Sequence, residues 1–165
     1  MQKRTSTLSP HDAVVTPFDV SVLQHRGLIV SRFRGVVSDT DLLDAQDWFD
    51  RNVTWVSGYG QLIDISEGDF SGVSAKLMAE LAARLGAYFD NAGITAAKVA
   101  IYAPGDMQFG MGRIFEAWAN NESAVEVYTF RDRALARDWL QENTAEDCTA
   151  VEHEDEASDS GEADA

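Results

Sequence analysis

The sequence predicts an α/β fold: one mixed, mainly parallel five-stranded sheet with about four helices. Two patterns and one bound point to it. Short apolar runs of strand length alternate with longer stretches in which apolar residues recur every three or four positions, the signature of strands alternating with amphipathic helices. The first two runs lie back to back and read as an antiparallel hairpin, which gives the order β-β-α-β-α-β-α-β-α. The length of 165 residues is that of one domain with one sizeable core.

Each element has its own signal. VSVLQH (Val20–His25) and GLIVSRFRG (Gly27–Gly35) form the hairpin, with Arg26-Gly27 between them. Ser38 and Asp41 make a near capping box, with Asp in place of Glu, ahead of Leu42, Ala45, Phe49 and Val53 at helical spacing. QLIDIS (Gln61–Ser66) is a short apolar strand. In SGVSAKLMAELAARLGAYFDNAG, Ser71 reads as the N-cap and Gly93 as the C-cap of a helix striped by Val73, Leu77, Met78, Leu81, Ala82, Leu85 and Phe89. KVAIYA (Lys98–Ala103) is the fourth strand, and Pro104 ends it. Gly105 then turns the chain and Asp106 caps the next helix. On that helix Met107, Gly110, Met111, Ile114, Phe115 and Trp118 share one face, expected to pack on the sheet with Gly110 at a close contact. VEVYTF (Val125–Phe130) is the fifth strand, and Asp132 caps a final helix holding Leu135, Trp139 and Leu140.

Charge separates the ends from the middle. The net charge is −15, and the stretch Glu146–Ala165 contributes nine acidic residues with no Lys or Arg. Residues 146–165 are therefore expected to be a disordered acidic tail, and residues 1–17, which show no periodicity, a flexible N-terminal arm; the domain is 18–145. An acidic balance with no basic patch argues against nucleic acid as a partner. No run approaches the ~20 apolar residues of a membrane span, and the N-terminus lacks the apolar stretch of a secretory signal. Cys148 is the sole cysteine, so no disulfide forms within the chain and a reducing, cytoplasmic setting is expected.

One stretch imitates a nucleotide site. In VAIYAPGDMQFGMGR, Gly105 and Gly110 have the spacing of a phosphate-binding loop. Such a loop needs a Lys after its second glycine and then a Ser or Thr, and here Met111 and Gly112 stand there instead. No dinucleotide fingerprint fits either, so no cofactor is expected.

The segment KVAIYAPGDMQFGMGRIFEAWANNESAVEVYTFRDRALARDWL resembles the C-terminal half of the SpoIIAA-like proteins, also described as STAS/CRAL-TRIO-like domains. The features that carry it are the strand KVAIYAP, the helix start FGMGRIFE, the strand VEVYTF, and the ending RDRALARDWL. The hairpin and LIDIS fit the N-terminal half more loosely, so the resemblance covers about Val20 to Glu142. It implies a small STAS-like sheet with helices packed on it, in a bacterial protein.

Candidate sites follow from both readings. Anti-sigma-factor antagonists of the STAS class carry Asp-Ser-Ser-Gly after a strand end, with the second serine phosphorylated. Asp69-Phe70-Ser71-Gly72 is similar, so the resemblance makes Ser71 a candidate phosphoacceptor, with Phe70 where that class has its first serine. The ends of parallel strands usually hold ligands in α/β sheets. That makes Asp64, Ser66, Asp106, Phe109, Arg113 and Arg131 candidate ligand or partner contacts, Arg113 reading also as a partner of Glu116 within its helix. Met78, Phe89, Met107, Phe109, Met111, Phe115, Trp118 and Trp139 read as core, or as the wall of an apolar pocket of the CRAL-TRIO type. His11, His25 and His153 are scattered without metal-ligand spacing, and no nucleophile–base set can be assembled. The expected function is a non-enzymatic regulatory or protein-interaction module, with a carrier or sensor of a small apolar ligand as the alternative.

Overall fold

The structure, a computed structural model, describes residues 17–122 and 125–149. Five strands, β1 (Phe18–Leu23), β2 (Leu28–Val36), β3 (Gly60–Asp69), β4 (Ala97–Tyr102) and β5 (Val125–Phe130), form one sheet in the order β1-β2-β3-β4-β5. β1 and β2 are antiparallel, with Phe18 opposite Phe33, and every later pair is parallel. Between them run α1 (Asp39–Asn52), α2 (Ala75–Ala92) and α3 (Asp106–Glu122), and α4 (Arg133–Thr149) follows β5. The mixed, mainly parallel five-stranded sheet with four helices is thus the one the sequence predicts.

Strand alternation divides the core in two. Ile29, Ile65, Val99 and Ile101 face α1, α2 and α3, which contribute Leu42, Phe49, Leu77, Leu81 and Phe89. The alternate positions Val30, Leu62 and Ala100 face α4 through Ala136 and Leu140. β3 and β4, buried on both faces, therefore read as continuous apolar runs, as central parallel strands do.

Several local signals act as their chemistry requires. The hairpin turns through a short 3-10 turn, Gln24–Arg26, ending at Gly27, whose φ of 55° is the left-handed conformation that glycine adopts without strain. The Ser38–Asp41 capping box forms in full: Ser38 Oγ accepts from the Asp41 N–H, and the Asp41 carboxylate accepts from the Ser38 N–H at 2.8 Å. Gly93 ends α2 and Asp132 Oδ1 accepts from the N–H of Ala134 at 2.7 Å at the start of α4.

Two helix starts differ from expectation. α2 is capped by Ser74, not Ser71: Ser74 Oγ accepts from the Leu77 N–H. Phe70 must enter the core, where it is 5% exposed, and the chain completes a turn through Ser71 and Gly72 before a helix can begin. Ser74 also donates its N–H and its hydroxyl to Asp39 on α1, each at 2.9 Å, so one helix start braces the other. Asp106 is the first residue of α3 rather than its cap.

The rotation of α3 is the larger correction. Met107, Ile114 and Trp118, expected on the sheet, are 54%, 37% and 44% exposed, and Gly110 has no neighbour in reach. The face that meets the sheet is Phe109, Gly112, Glu116 and Ala119. A Cβ on Gly112 would stand 2.7 Å from Thr129 Cγ2 and 3.3 Å from Ile101 Cγ2. Glu116 Oε2 accepts from the Thr129 N–H at 2.9 Å, and Asn120 clasps Val127 at both its N–H and its carbonyl. Close approach and polar reach set the rotation, and both override the apolar stripe.

At the ends, α4 runs on to Thr149, past the boundary at 146 suggested by charge, so Cys148 lies in its last turn. The expected arm up to residue 16 and the acidic run from residue 150 lie outside the described residues.

Gly112→Ala should destabilise the fold by about 1–3 kcal/mol, because overpacking outweighs the roughly 1 kcal/mol of helix propensity gained. Gly110→Ala should be neutral or stabilising, and urea unfolding of both beside the parent checks the pair. Acid should weaken the fold in a defined range. Asp41, Asp47 and Asp69 are held below the ordinary carboxylate value, by the Ser38 hydroxyl, by Arg84 and by the Ser71 N–H respectively. Depressed groups favour folding above their unfolded value of about 3.9 and lose that contribution as pH falls through the folded one. Thermal midpoints should therefore drop below about pH 4, and these three groups should add no pH dependence between neutral and mildly alkaline pH, where their contribution is full and constant.

Candidate functional site

The sequence-derived candidates do not converge on one site. Asp64 ends the central part of β3 and is buried, 6% exposed. Its Oδ1 accepts from the Ser66 hydroxyl at 2.6 Å and the Ser66 N–H at 3.1 Å, and Oδ2 lies 3.4 Å from the Arg133 guanidinium. Arg133 in turn lies over the Tyr102 ring at 5.7 Å, so Asp64 and Ser66 form a closed cluster with the start of α4. Asp106, Phe109 and Arg131 form a second cluster. Arg131 donates to Asp106 Oδ1 at 2.8 Å and to the Pro104 carbonyl at 3.2 Å, with its guanidinium 4.2 Å from the Phe109 ring centre. Each aspartate is thus engaged by its own arginine, and the pair does not gather about a cation. Among the described residues no group of three His, Cys, Asp or Glu could hold a metal ion.

Arg113 stands apart from both. It pairs with Glu116, as the spacing within the helix predicts, and leans toward the Tyr128 ring. Glu116 is itself buried, 6% exposed, and its second oxygen holds β5, so this ion pair fastens α3 to the sheet edge. Ser71 is exposed in the turn before α2, its N–H donating to Asp69 Oδ1 at 2.9 Å. A phosphate there would meet an aspartate beside it rather than the first free amides of a helix.

A different site emerges between the sheet and α1, α2 and α3. A cavity of about 130 Å³ opens there. Its floor is Ser31 on β2, Gln61 and Ile63 on β3, and Ile101 on β4; Leu42, Ala45 and Phe49 of α1 and Met78, Leu81 and Leu85 of α2 roof it. Met111, Gly112 and Phe115 of α3 close one side, and Phe18, Val20 and Phe33 of the hairpin line another. The space has a physical origin. Gly112 and Ala119 let α3 settle close on β5, and Ala136 does the same for α4 on β4, whereas α1 and α2 stand further off on bulky side chains. Arg84 of α2 pairs with Asp47 and Asp50 of α1 at 2.6 and 3.2 Å, holding the two as one roof.

The electrostatics of the cavity are plain. Its lining contains no charged side chain, and the polar residues are Ser31, Gln46 and Gln61. Ser31 and Gln61 are 5% and 6% exposed, and Gln61 Nε2 donates to Ser31 Oγ at 2.9 Å. Of the large apolar set read from the sequence, Met78, Met111 and Phe115 line the cavity, while Trp139 lies on the opposite face with Tyr128 and Phe130. Phe109 lies under Arg131, and Met107 and Trp118 face outward. Sequence reasoning missed Gln61 and Ser31. The alternation Gln61, Ile63, Ile65 places Gln61 on the helix-covered face, and that was the available signal.

No protein-family model and no curated protein matches this chain. Among solved structures it is similar to an uncharacterized protein from the DUF3478 family with a SpoIIAA-like fold, from Shewanella loihica PV-4. The two are 22% identical, the match covers 74% of this chain and 91% of that one, and the TM-score is 0.48.

Ser74→Ala should cost about 1 kcal/mol as a lost cap, whereas Ser71→Ala should stay within about 0.5 kcal/mol of the parent. Denaturant midpoints separate the two, and equal losses would contradict the placement of the α2 start.

Proposed function

We propose that this protein is a non-enzymatic binding domain that takes a small apolar ligand into the cavity between the sheet and α1–α3, as a carrier or a sensor. The observation that carries this reading is the cavity itself. Protein interiors leave few voids larger than a water. At about 130 Å³ the space is several times the volume of one water. The walls are aliphatic and aromatic, and the absence of any charged lining residue favours an uncharged guest. The non-enzymatic part rests on the same lining, which offers no acid, base or thiol, and on carboxylates at the strand ends that are already engaged by Arg133 and Arg131. Among the described residues no helix is long and apolar enough to cross a membrane. A cytoplasmic setting goes with a chain whose one cysteine has no partner cysteine within it.

A second reading is a regulatory module that docks a protein partner. Met107, Ile114 and Trp118 favour it, because they leave an apolar stripe on the outer face of α3 with bare Gly110 between them.

Native mass spectrometry of protein purified from its own host tests both. The cavity reading expects a retained small neutral molecule, absent from Ala45→Leu, whose longer side chain fills the roof while the fold persists. A bare parent mass would count against it. A stoichiometric protein companion released by Trp118→Glu would put the module reading first.

A further inference from the structure

We infer that the Ser31–Gln61 pair is a polar anchor that makes the cavity selective for an uncharged ring-sized molecule bearing one hydroxyl, carbonyl or amide group. This rests on the cavity reading above and narrows its ligand class. Two polar side chains sit in the floor of the chamber, on adjacent strands and almost fully buried, while the third polar lining residue, Gln46, donates to Asp50 within α1. Their mutual bond uses one Gln61 N–H and one lone pair of Ser31. A primary amide and a hydroxyl together have more to offer. Among the described residues that bond is the one these two side chains make, and neither is among the fully occluded polar atoms that lack a partner, so their remaining donors and acceptor border the open space of the cavity.

Water displaced from such groups by a guest must be replaced by equivalent hydrogen bonds, or affinity is lost. A guest that presents a hydroxyl meets them in both senses: its proton to the Gln61 carbonyl oxygen, and its oxygen to the Ser31 proton or the free Gln61 N–H. Size narrows the guest further. A cavity of roughly 150 Å³ lined by apolar side chains holds benzene, so about 130 Å³ suits a single ring or a short branched chain. A carboxylate or phosphate is excluded on the same grounds, since no lining cation would compensate its loss of water.

The test uses the full chain and three probes of one size, p-cresol, toluene and benzoate, with binding followed by calorimetry and by amide chemical shifts. The parent should bind p-cresol about tenfold more tightly than toluene, a neutral hydrogen bond's share, and should not bind benzoate. Gln61→Leu should abolish that preference while keeping or improving toluene binding. Ser31→Ala, a smaller change, should reduce it and serves if Gln61→Leu does not fold. Toluene binding as tightly as p-cresol to the parent, benzoate binding, or an undiminished preference in either folded variant would overturn the anchor and leave the apolar cavity standing. Failure of both toluene and p-cresol to bind the parent would overturn the cavity reading as well.

Discussion

Three crossovers between adjacent parallel strands, all taken in the same direction, govern this molecule. From β2 to β3, to β4, to β5, each step moves to the adjacent parallel strand on the same side. Since such connections are right-handed in nearly every protein, α1, α2 and α3 must all fall on one face. α4 leads to no further strand among the described residues, and it covers the face they leave bare, through Ala136 and Leu140. The molecule is therefore lopsided, with three helices sharing one face and a single helix on the other. A layer of three helices must also reach over the antiparallel β1, which has no crossover helix of its own. The cavity lies where that layer is stretched, between α1 and the hairpin side of the sheet.

The free edge of β5 is the second constraint. An edge strand presents backbone groups that invite another chain to add to the sheet. Here Glu116 and Asn120 take the outward N–H of Thr129 and both groups of Val127. Doing so fixes the rotation of α3, and Gly112 and Ala119 must then face the sheet. Each unmet backbone group beside the core would cost roughly 1–3 kcal/mol, and three such groups outweigh the partial exposure of Met107, Ile114 and Trp118. Closing the edge thus creates an apolar stripe on the outside of the helix.

Most of the fold was legible because its signals are local. The capping box at Ser38, the turn at Gly27, the end of α2 at Gly93 and the cap at Asp132 each depend on residues within a few positions, and period alone separates the strands from the helices. What was illegible depends on contacts distant in sequence. The start of α2 is delayed by the burial of Phe70, and the face of α3 is chosen by β5. Two helical stripes compete on α3, and hydrophobicity alone selects the wrong one, since a glycine counts for nothing on that scale yet marks the closest contact. The candidates at the strand ends read from the sequence as ligand or partner contacts. In the structure Asp64 pairs with Arg133 and Asp106 with Arg131, and no spacing rule shows that an arginine beyond β5 will meet an acid in the middle of β3.

The cavity floor shows a different kind of limit. QLIDIS reads as an apolar strand, and its first residue is easily taken for the polar boundary of the run. In the sheet Gln61 lies opposite Val99, well inside the layer, with Ser31 on the neighbouring strand. Local pattern and global fold disagree at these two positions, and they disagree together, on adjacent strands and on the same face. Isolated disagreements can be accidents of drift, since a single buried serine can satisfy itself on a nearby carbonyl. A coupled pair is harder to reach by chance. Both retain hydrogen-bonding capacity that their mutual bond leaves unused, at the floor of the cavity. Natural sequences break local rules chiefly at functional sites, and here the broken rule and the missing volume coincide.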